Sequence, residues 1–438
     1  MNLLEKIGWY YRNRGLKALF ARIFKGRRPS PDQVLSGNAG ATAARSSSAP
    51  KASNGAVSAY ALLTDRFISI QPMQVYTVPG SEERLNLVTD SINAGSLFGG
   101  VGTAIILASM LATRRGAKLR VVTRTEAPDE QGFMQVLECN GLTAPGNVEF
   151  VHLDVTDSRA QLAICEEDRF LTTSWWTTAS VLGSVSARKV GYLLQEDERM
   201  FYPYGDDWLR CNELLQRSDI RFVINTELLY RHLLATGLDH LKDRAVWFEP
   251  AFLKPAVPNP VAKTAVGKRK LFFYARPNNL RNLFYRGLEV LDKAVIEGVI
   301  DPEKWEVFFV GKDVPKVWLG DRLESMVLPP MGWRNYGEFI SRVDAGFCLM
   351  ATPHPSYPPL DLASAGAFVL TNKFGLKQDL RKYSDRIVCS ELDTEALLEG
   401  MRTVIGLVEN GGKSPGENDS RVSRSWKNAL ADAVEYLS

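Results

Sequence analysis

The sequence predicts an α/β protein with two doubly wound domains, preceded by a basic amphipathic helix and a flexible linker. Three observations lead to this prediction. The chain has 438 residues, which is more than one hydrophobic core usually holds. Short apolar strands alternate with helical segments, as they do in doubly wound sheets. A proline-rich segment, residues 248–263, interrupts the alternation, which then starts again.

The first 28 residues form a strongly basic segment. They carry eight lysine or arginine side chains and one acid, Glu5, although the net charge of the whole chain is only +3. Leu, Ile, Phe and Trp side chains lie between the basic ones at helical intervals. We therefore expect a helix that docks on an anionic membrane surface. The alternative is a helix that packs on this protein or on a partner, and nucleic acid is disfavoured because the rest of the sequence has no matching basic signal.

Residues 29–57 are rich in Ser, Ala, Gly and Pro, which predicts a flexible linker. No apolar run reaches the roughly 18 residues of a membrane span, and the first residues do not resemble a cleavable signal peptide. The five cysteines are scattered without a CxxC pair, which indicates a reducing compartment. The expected location is the cytoplasm, with peripheral attachment to the inner face of the plasma membrane.

The first domain is predicted over residues 58–255 and the second over residues 256–420, with a final helix in residues 421–438 that could cross back to the first domain. Helices are predicted around residues 104–112, 282–297 and 422–437. The predicted strands are residues 84–90, 118–124, 148–152, 170–174, 189–194, 221–225 and 245–248 in the first domain, and residues 270–277, 305–311, 345–350 and 367–371 in the second.

A glycine-rich turn follows the first strand of the first domain. Gly99, Gly100 and Val101 stand directly before an apolar helix. Backbone amides at such a turn, with the partial positive charge of the helix N-terminus, can bind a diphosphate. The turn lacks both a full GxGxxG pattern and a Walker lysine, so a tight structural turn remains the alternative.

Cationic side chains follow two strands of the second domain. Arg276 and Arg281 come after one strand, and Lys312 follows the next. Guanidinium groups bind phosphate oxygens well, and ligands of α/β sheets lie at the carboxyl ends of strands. These residues, together with Arg334, are therefore candidate phosphate ligands, and an ordinary surface role is the alternative.

A proline-rich loop follows a later strand of the second domain. It contains His354, Ser356 and Tyr357 and leads to Asp361 in the next helix. Prolines rigidify a loop that presents hydroxyl groups, and Asp361 could accept hydrogen bonds from ribose or sugar hydroxyls. Stabilisation of the helix N-terminus by Asp361 is the alternative.

An acidic segment ends a strand of the first domain. Gln195, Glu196 and Asp197 lie there beside aromatic side chains. This composition suits a sugar acceptor surface or a general base, with a solvated acidic loop as the alternative. The four histidines form neither an HExxH motif nor a cluster, so no metal and no cofactor are expected.

Several stretches resemble the WsaF-type bacterial rhamnosyltransferases of glycosyltransferase family four. They cover most of residues 85–374, and the tail and linker lie outside them. The matching stretches are LNLVTDSINAGSLFGGVGTA, YLLQEDERMFYP, FVINTELLYRHLL, FFYARPNNLRNLFYRGLE and AGFCLMATPHPSYPPLDLASAGAFVLTNKF.

The resemblance implies a GT-B fold, with a nucleotide sugar in the second domain and a glycan or lipid-linked glycan acceptor at the first. It implies retention of anomeric configuration, no obligatory metal, dTDP-rhamnose as the donor and a cell-surface polysaccharide or O-antigen as the product. Arg276 matches the donor-phosphate arginine and Arg281 the second cationic position. Asp361 replaces the second glutamate of the family's E-x7-E motif, and Pro353 occupies the place of the first.

Three alternatives remain open at the level of the sequence. The first is a GT-B enzyme that uses a GDP- or UDP-sugar. The second is a nicotinamide-dependent oxidoreductase, which the glycine-rich turn permits but the second domain's arginine turn and proline loop disfavour. The third is a non-catalytic glycan-binding protein.

Overall fold

A computed structural model describes residues 57–80, 82–93, 100–252, 267–329, 331–411 and 421–438. The chain divides into two units, Met1–Leu62 and Leu63–Ser438. The predicted docking helix, nearly all of the predicted linker and Gly99 lie outside the described residues. Within the described ranges, no helix combines the length and the apolar character needed to cross a membrane.

The two main sheets of the larger unit consist of parallel strands. The strands are β1 Val75–Thr77, β2 Arg84–Thr89, β3 Lys118–Thr123, β4 Glu149–His152, β5 Leu162–Ile164, β6 Arg169–Thr172, β7 Val190–Leu194, β8 Arg221–Asn225, β9 Ala245–Phe248, β10 Arg269–Ala275, β11 Trp305–Gly311, β12 Trp318–Leu319, β13 Leu323–Glu324, β14 Met326–Val327, β15 Ala345–Cys348, β16 Phe368–Asn372 and β17 Ile387–Ser390. Among the described residues, the first sheet has seven strands in the order β4-β3-β2-β6-β7-β8-β9, and the second has six in the order β14-β11-β10-β15-β16-β17.

Helices connect these strands, as parallel pairing requires. They are α1 Ala59–Arg66, α2 Gly102–Arg115, α3 Glu130–Cys139, α4 Trp175–Leu182, α5 Asp206–Leu215, α6 Glu227–Ala235, α7 Leu241–Arg244, α8 Phe284–Ile296, α9 Trp333–Ile340, α10 Tyr357–Ser364, α11 Thr394–Glu409, α12 Trp426–Ala429 and α13 Ala431–Leu437. Short 3-10 turns lie at Ile68–Ile70, Ala187–Lys189, Glu198–Phe201 and Leu280–Asn282. The prediction of a doubly wound α/β fold is confirmed.

The strands of both sheets are apolar because both faces of each sheet are covered. Strand β7 is buried at all five positions, and β2 is buried at every position after Arg84. Separate apolar clusters pack on the two faces of each sheet. Strands that are buried on both faces are continuous hydrophobic runs in the sequence, and for this reason their positions could be predicted well.

The strand order of each sheet reverses at one point, between β2 and β6 in the first sheet and between β10 and β15 in the second. Connections leave in opposite directions from such a switch point, and a crevice opens at the carboxyl ends of the strands. The segments that follow β10 and β15 carry Arg276 and the proline-rich loop respectively. The topology therefore brings two of the predicted motifs to one crevice.

The two final helices, α12 and α13, pack against the first sheet. Trp426, Leu430 and Leu437 belong to the same apolar cluster as residues of β2 and α2. The indole Nε1 of Trp426 donates a hydrogen bond of 2.8 Å to Oδ1 of Asn140. The sequence predicted one helix over residues 422–437, whereas the structure has two, α12 and α13, which meet at Leu430.

The boundary of α8 also differs from its prediction. The helix begins at Phe284 rather than near Asn282, because Leu283 takes a left-handed backbone conformation with φ 49°. A 3-10 turn, Leu280–Asn282, precedes it. The predicted domain boundaries stay predictions.

Candidate active site

A cavity of about 920 Å³ lies between the two sheets. Residues that follow β7 and begin α2 line one wall, and residues that follow β10, β11 and β15 line the other. Of the residues predicted from the sequence, the cavity is lined by Gly100, Gln195, Glu196, Arg276, Arg281, Lys312, Arg334, His354, Ser356, Tyr357 and Asp361.

Arg276 and Lys312 lie side by side at the carboxyl ends of β10 and β11. The two strands are paired in parallel, with Ala275 opposite Gly311. A Cβ atom on Gly311 would stand 1.6 Å from the carbonyl oxygen of Ala275, so only glycine permits this close approach. The sequence WEVFFVGK thus places Lys312 next to Arg276.

The guanidinium of Arg276 has few protein contacts. Its Nη1 lies 3.5 Å from the hydroxyl of Tyr274, at the limit of a hydrogen bond. In the described part of the chain, no carboxylate forms an ion pair with Arg276 or Lys312. Two neighbouring cations that face a cavity without acidic partners can bind an anionic ligand.

Asp361 lies in α10 and lines the cavity. Burial raises the pKa of its carboxyl group to about 7, and a 3.5 Å hydrogen bond from the Tyr336 hydroxyl offsets only part of this shift. The group is therefore poised between its neutral and charged forms near neutral pH. An ionised Asp361 can accept hydrogen bonds from ligand hydroxyl groups.

The proline-rich loop holds His354 in one tautomer. The backbone amide of Ser356 donates a hydrogen bond of 2.9 Å to Nδ1 of His354. Burial, together with the nearby Lys377 and Arg281, lowers the pKa of His354 to about 3, so the ring is neutral. Nε2 must therefore carry the proton, and it has no hydrogen-bond partner among the described residues.

Ser356 closes the loop in an unusual backbone conformation. It has φ 71° and ψ 147°, which costs a non-glycine residue about 1 to 3 kcal/mol. The conformation turns the chain into α10, whose first turn contains Pro358 and Pro359. Such strain is common where a loop must present ligand-binding groups.

Glu196 joins the two walls of the cavity. It follows β7, and its carboxylate forms an ion pair with Arg281 and accepts a hydrogen bond of 2.8 Å from Oγ1 of Thr352. Arg281 also lies over the ring of Phe201, 4.2 Å from its centroid. Burial raises the pKa of Glu196, while its cationic neighbours act in the opposite direction. The guanidinium of Arg281 is thus engaged by Glu196, unlike that of Arg276.

A second polar contact between the walls is centred on Tyr357. Its hydroxyl lies 2.5 Å from Oγ1 of Thr103 and accepts a hydrogen bond of 2.8 Å from Asn225. Asn225 also donates to Gln195, whose own amide donates to the carbonyl of Gly100 at 2.7 Å. The glycine-rich turn is therefore tied to the loop of the second sheet through side chains.

Asp197 and Val101 are not among the residues that line this cavity, and their predicted substrate-binding roles stay predictions. The carboxylate of Asp197 accepts a hydrogen bond of 2.8 Å from Arg199 and lies 3.1 Å from Nε2 of His232. Although burial opposes ionisation, the bonds from His232 and Arg199 hold the pKa of Asp197 at about 2. Val101 packs instead against the apolar cluster beneath the first sheet.

Arg334 lines the cavity but is largely exposed, and its guanidinium pairs with Glu138 at 3.2 Å. Among residues that the sequence reading missed, Tyr274 and Tyr336 approach Arg276 and Asp361 respectively. Tyr336 stands two positions after Arg334, so its place in the WRNY segment was the one feature of the sequence that could have indicated it.

No three His, Cys, Asp or Glu side chains in the described ranges form a group suited to a metal ion.

Two family descriptions match the chain. "WsaF, N-terminal domain" matches residues 84–227, and "WsaF, C-terminal domain" matches residues 269–402. The "O-antigen biosynthesis protein RfbC" of Myxococcus xanthus is 28% identical over 346 residues, which are 78% of this chain. The match spans only 26% of the length of that relative.

Solved structures share the architecture at low sequence identity. Sucrose-phosphate synthase from Thermosynechococcus elongatus has a TM-score of 0.53 at 12% identity and covers 81% of this chain and 98% of its own. WaaG, a glycosyltransferase involved in lipopolysaccharide biosynthesis, has a TM-score of 0.51 at 13% identity, with 81% and 99% covered. HepE from Anabaena, in complex with UDP-glucose, has a TM-score of 0.51 at 12% identity, with 81% and 96% covered. These likenesses establish the GT-B fold expected from the sequence.

Proposed function

The chain belongs to the WsaF family of glycosyltransferases, and on that premise we propose that it transfers rhamnose from dTDP-rhamnose to a cell-surface glycan of the O-antigen type. The observation that carries the donor assignment is the pair of cations, Arg276 and Lys312, at adjacent strand ends in the cavity. A diphosphate offers oxygens to both. The RfbC relative supports the O-antigen product, and the WsaF-type motifs support the sugar.

The remaining cavity residues suit the rest of a nucleotide sugar. Phe272, Met331 and Ile340 line an apolar part of the wall that can cover a nucleobase. Asp361 can accept hydrogen bonds from ribose or sugar hydroxyls, and the Nε2 proton of His354 can be donated to a ligand oxygen. HepE, which binds UDP-glucose with the same fold, supports a nucleotide sugar as the ligand.

The chemistry we propose is electrostatic. As the bond to the anomeric carbon breaks, negative charge grows on the diphosphate, and the fixed cations Arg276 and Lys312 stabilise it. The acceptor hydroxyl attacks from the face that the diphosphate leaves and gives its proton to an oxygen of the departing diphosphate, so anomeric configuration is retained. Because two side-chain cations already face the leaving group, we propose that transfer needs no metal ion.

We also propose that residues 1–28 hold the enzyme on the inner face of the plasma membrane. Their eight basic side chains favour anionic lipid. A glycan or lipid-linked glycan acceptor assembled at that surface would then meet the cavity.

A donor panel tests the proposal. The purified full chain is incubated with a rhamnose-containing oligosaccharide as acceptor and with dTDP-rhamnose, UDP-glucose, GDP-mannose or NADH, each with and without EDTA, and nucleoside diphosphate release is measured. We expect release from dTDP-rhamnose in both conditions, and an unchanged anomeric configuration of the transferred sugar by NMR. Preference for another sugar nucleotide would revise the donor. NADH binding without nucleoside diphosphate release from any sugar nucleotide would refute a glycosyltransferase.

A further inference from the structure

His354 offers a buried hydrogen-bond donor to the cavity. The side chain is 3% exposed and belongs to the cavity wall. Its neutral ring carries the proton on Nε2, because Nδ1 accepts the 2.9 Å hydrogen bond from the Ser356 amide. Nε2 has no hydrogen-bond partner among the described residues. A buried donor without a protein partner is costly to the fold, so such a group in a cavity wall indicates a ligand atom that completes the bond.

Contacts on two sides fix the orientation of the His354 ring. The Ser356 amide holds the edge of the ring at Nδ1. The ring of Tyr357 lies beside it, with ring centroids 5.8 Å apart and planes 28° apart. The Tyr357 hydroxyl is in turn bonded to Asn225, which belongs to the first sheet. A donor that is already fixed in place loses little entropy when a ligand binds to it.

His354 lies where the two walls of the cavity meet. Its backbone amide donates a hydrogen bond of 3.2 Å to Oγ1 of Thr352, and that hydroxyl donates one of 2.8 Å to Glu196 on the opposite wall. In a two-domain transferase, the transferred sugar has to lie at such a boundary, because one half of the molecule holds the donor and the other half holds the acceptor. The position of His354 therefore fits the sugar part of the donor.

The charged side chains around His354 also favour a sugar as its ligand. Those that act electrostatically on His354 and on its neighbour Glu196 are Arg281, Lys377 and Asp197. Of these groups, only Glu196 and Arg281 line the cavity, and they form an ion pair with each other. A carboxylate repels a phosphate, whereas it accepts the proton of a hydroxyl group.

A sugar hydroxyl needs both a donor and an acceptor, and the wall supplies both at this place. The Nε2 proton of His354 can be donated to the hydroxyl oxygen, and the Glu196 carboxylate can accept a hydroxyl proton. The diphosphate has other partners, because Arg276 and Lys312 lie together at the ends of β10 and β11. The two parts of the donor thus meet different groups of the second sheet's loops.

We infer that His354 binds a hydroxyl group of the transferred sugar, with its Nε2 proton donated to the hydroxyl oxygen. This inference rests on the proposed function, because it assigns the sugar of the donor within the same cavity. It separates the residues that hold the sugar from those that hold the diphosphate. Loss of the Nε2 donor then weakens binding of the nucleotide sugar and leaves binding of the free nucleotide unchanged.

Calorimetric titration of the full chain with dTDP and with dTDP-rhamnose tests the inference. In His354→Asn, the side-chain oxygen can still accept the bond from the Ser356 amide, but no donor remains at the place of Nε2. In His354→Gln, the longer amide can place a nitrogen donor there. His240→Asn is the matched control, since Nε2 of His240 also has no hydrogen-bond partner among the described residues, but His240 is not one of the residues that line the cavity.

We expect His354→Asn to bind dTDP-rhamnose about tenfold more weakly than wild type, as the loss of one buried hydrogen bond implies. Its affinity for dTDP stays at the wild-type value, which also shows that the cavity of the variant is intact. His354→Gln recovers part of the loss. His240→Asn binds both ligands as wild type does.

Three outcomes overturn the inference and leave the diphosphate assignment standing. They are an unchanged affinity of His354→Asn for dTDP-rhamnose, an equal loss for dTDP and dTDP-rhamnose, and binding of dTDP without binding of dTDP-rhamnose to wild type. The second of these would show that His354 contacts the nucleotide or only shapes the loop. If wild type binds neither ligand, the donor assignment itself fails, and the inference fails with it.

Discussion

Replacement of Arg276 by alanine removes one of the two cations that face the proposed leaving group. The side chain has one marginal contact, 3.5 Å to the Tyr274 hydroxyl, so its loss costs the fold little, within about 0.5 kcal/mol. A fixed donor to a developing oxyanion contributes about 3 kcal/mol to the transition state. At about 1.4 kcal/mol for each factor of ten, turnover falls roughly 150-fold.

The assay is the initial rate of dTDP release at saturating dTDP-rhamnose, with thermal unfolding measured on the same samples. Arg276→Lys keeps the charge but not the planar fork, and we expect it to lie between wild type and alanine. Arg402→Ala is the matched control, since Arg402 forms surface ion pairs with Glu297, just after α8, and with Glu399 on α11, and lies outside the residues that line the cavity. A folded Arg276→Ala protein that turns over at the wild-type rate would refute the reasoning.

Three further predictions concern Asp361, Glu196 and Trp426. Asp361→Asn makes the unfolding free energy less dependent on pH. The pKa of Asp361 in the folded protein, about 7, lies above the ordinary value of 3.8, so the wild-type carboxyl group lowers stability as pH rises from 4 to 7. Urea unfolding of both proteins at pH 5 and pH 8 measures the difference. Glu196→Gln breaks the ion pair with Arg281 and lowers the unfolding free energy by about 2 kcal/mol, seen as a lower calorimetric midpoint. An unchanged midpoint would argue against this contact across the cavity. Trp426→Ala leaves a cavity in the core and removes the indole donor to Asn140, so we expect the free energy of unfolding in urea to fall by about 3 to 5 kcal/mol. A decrease below 1 kcal/mol would contradict the packing of α12 on the first sheet.

The fold was predictable because most of its information is local. Strands such as Trp305–Gly311 and Arg221–Asn225 are short apolar runs between polar turns, and their predicted and observed bounds agree. The helix start at Phe284 was not predictable, because it depends on the left-handed conformation of Leu283, a residue type that rarely takes it. The GT-B fold is confirmed.

The site was predictable in outline, because strand ends in parallel sheets meet at one edge. That rule placed Arg276 and Lys312 together. It could not say where each residue of the acidic segment points. Glu196 turns to Arg281 across the cavity, whereas Asp197 turns inward to Arg199, and the letters of the sequence do not distinguish them.

Side chains that meet across the cavity are also hidden in the sequence. Tyr357 reaches Thr103 and Asn225 over 254 and 132 residues of chain. A local sequence pattern does not encode contacts between residues so far apart in the chain. For the same reason, the ion pair between Arg281 and Glu196 could not be predicted from the sequence. The roles of the site residues in binding and catalysis stay predictions.

Calorimetric titration of dTDP into wild type and Arg276→Ala tests most directly the claim that the second sheet's half of the molecule holds the donor diphosphate. The structure predicts binding to wild type and an affinity at least about tenfold lower in the variant, because a charge-assisted contact with phosphate is lost. The same affinity for both proteins would contradict the claim.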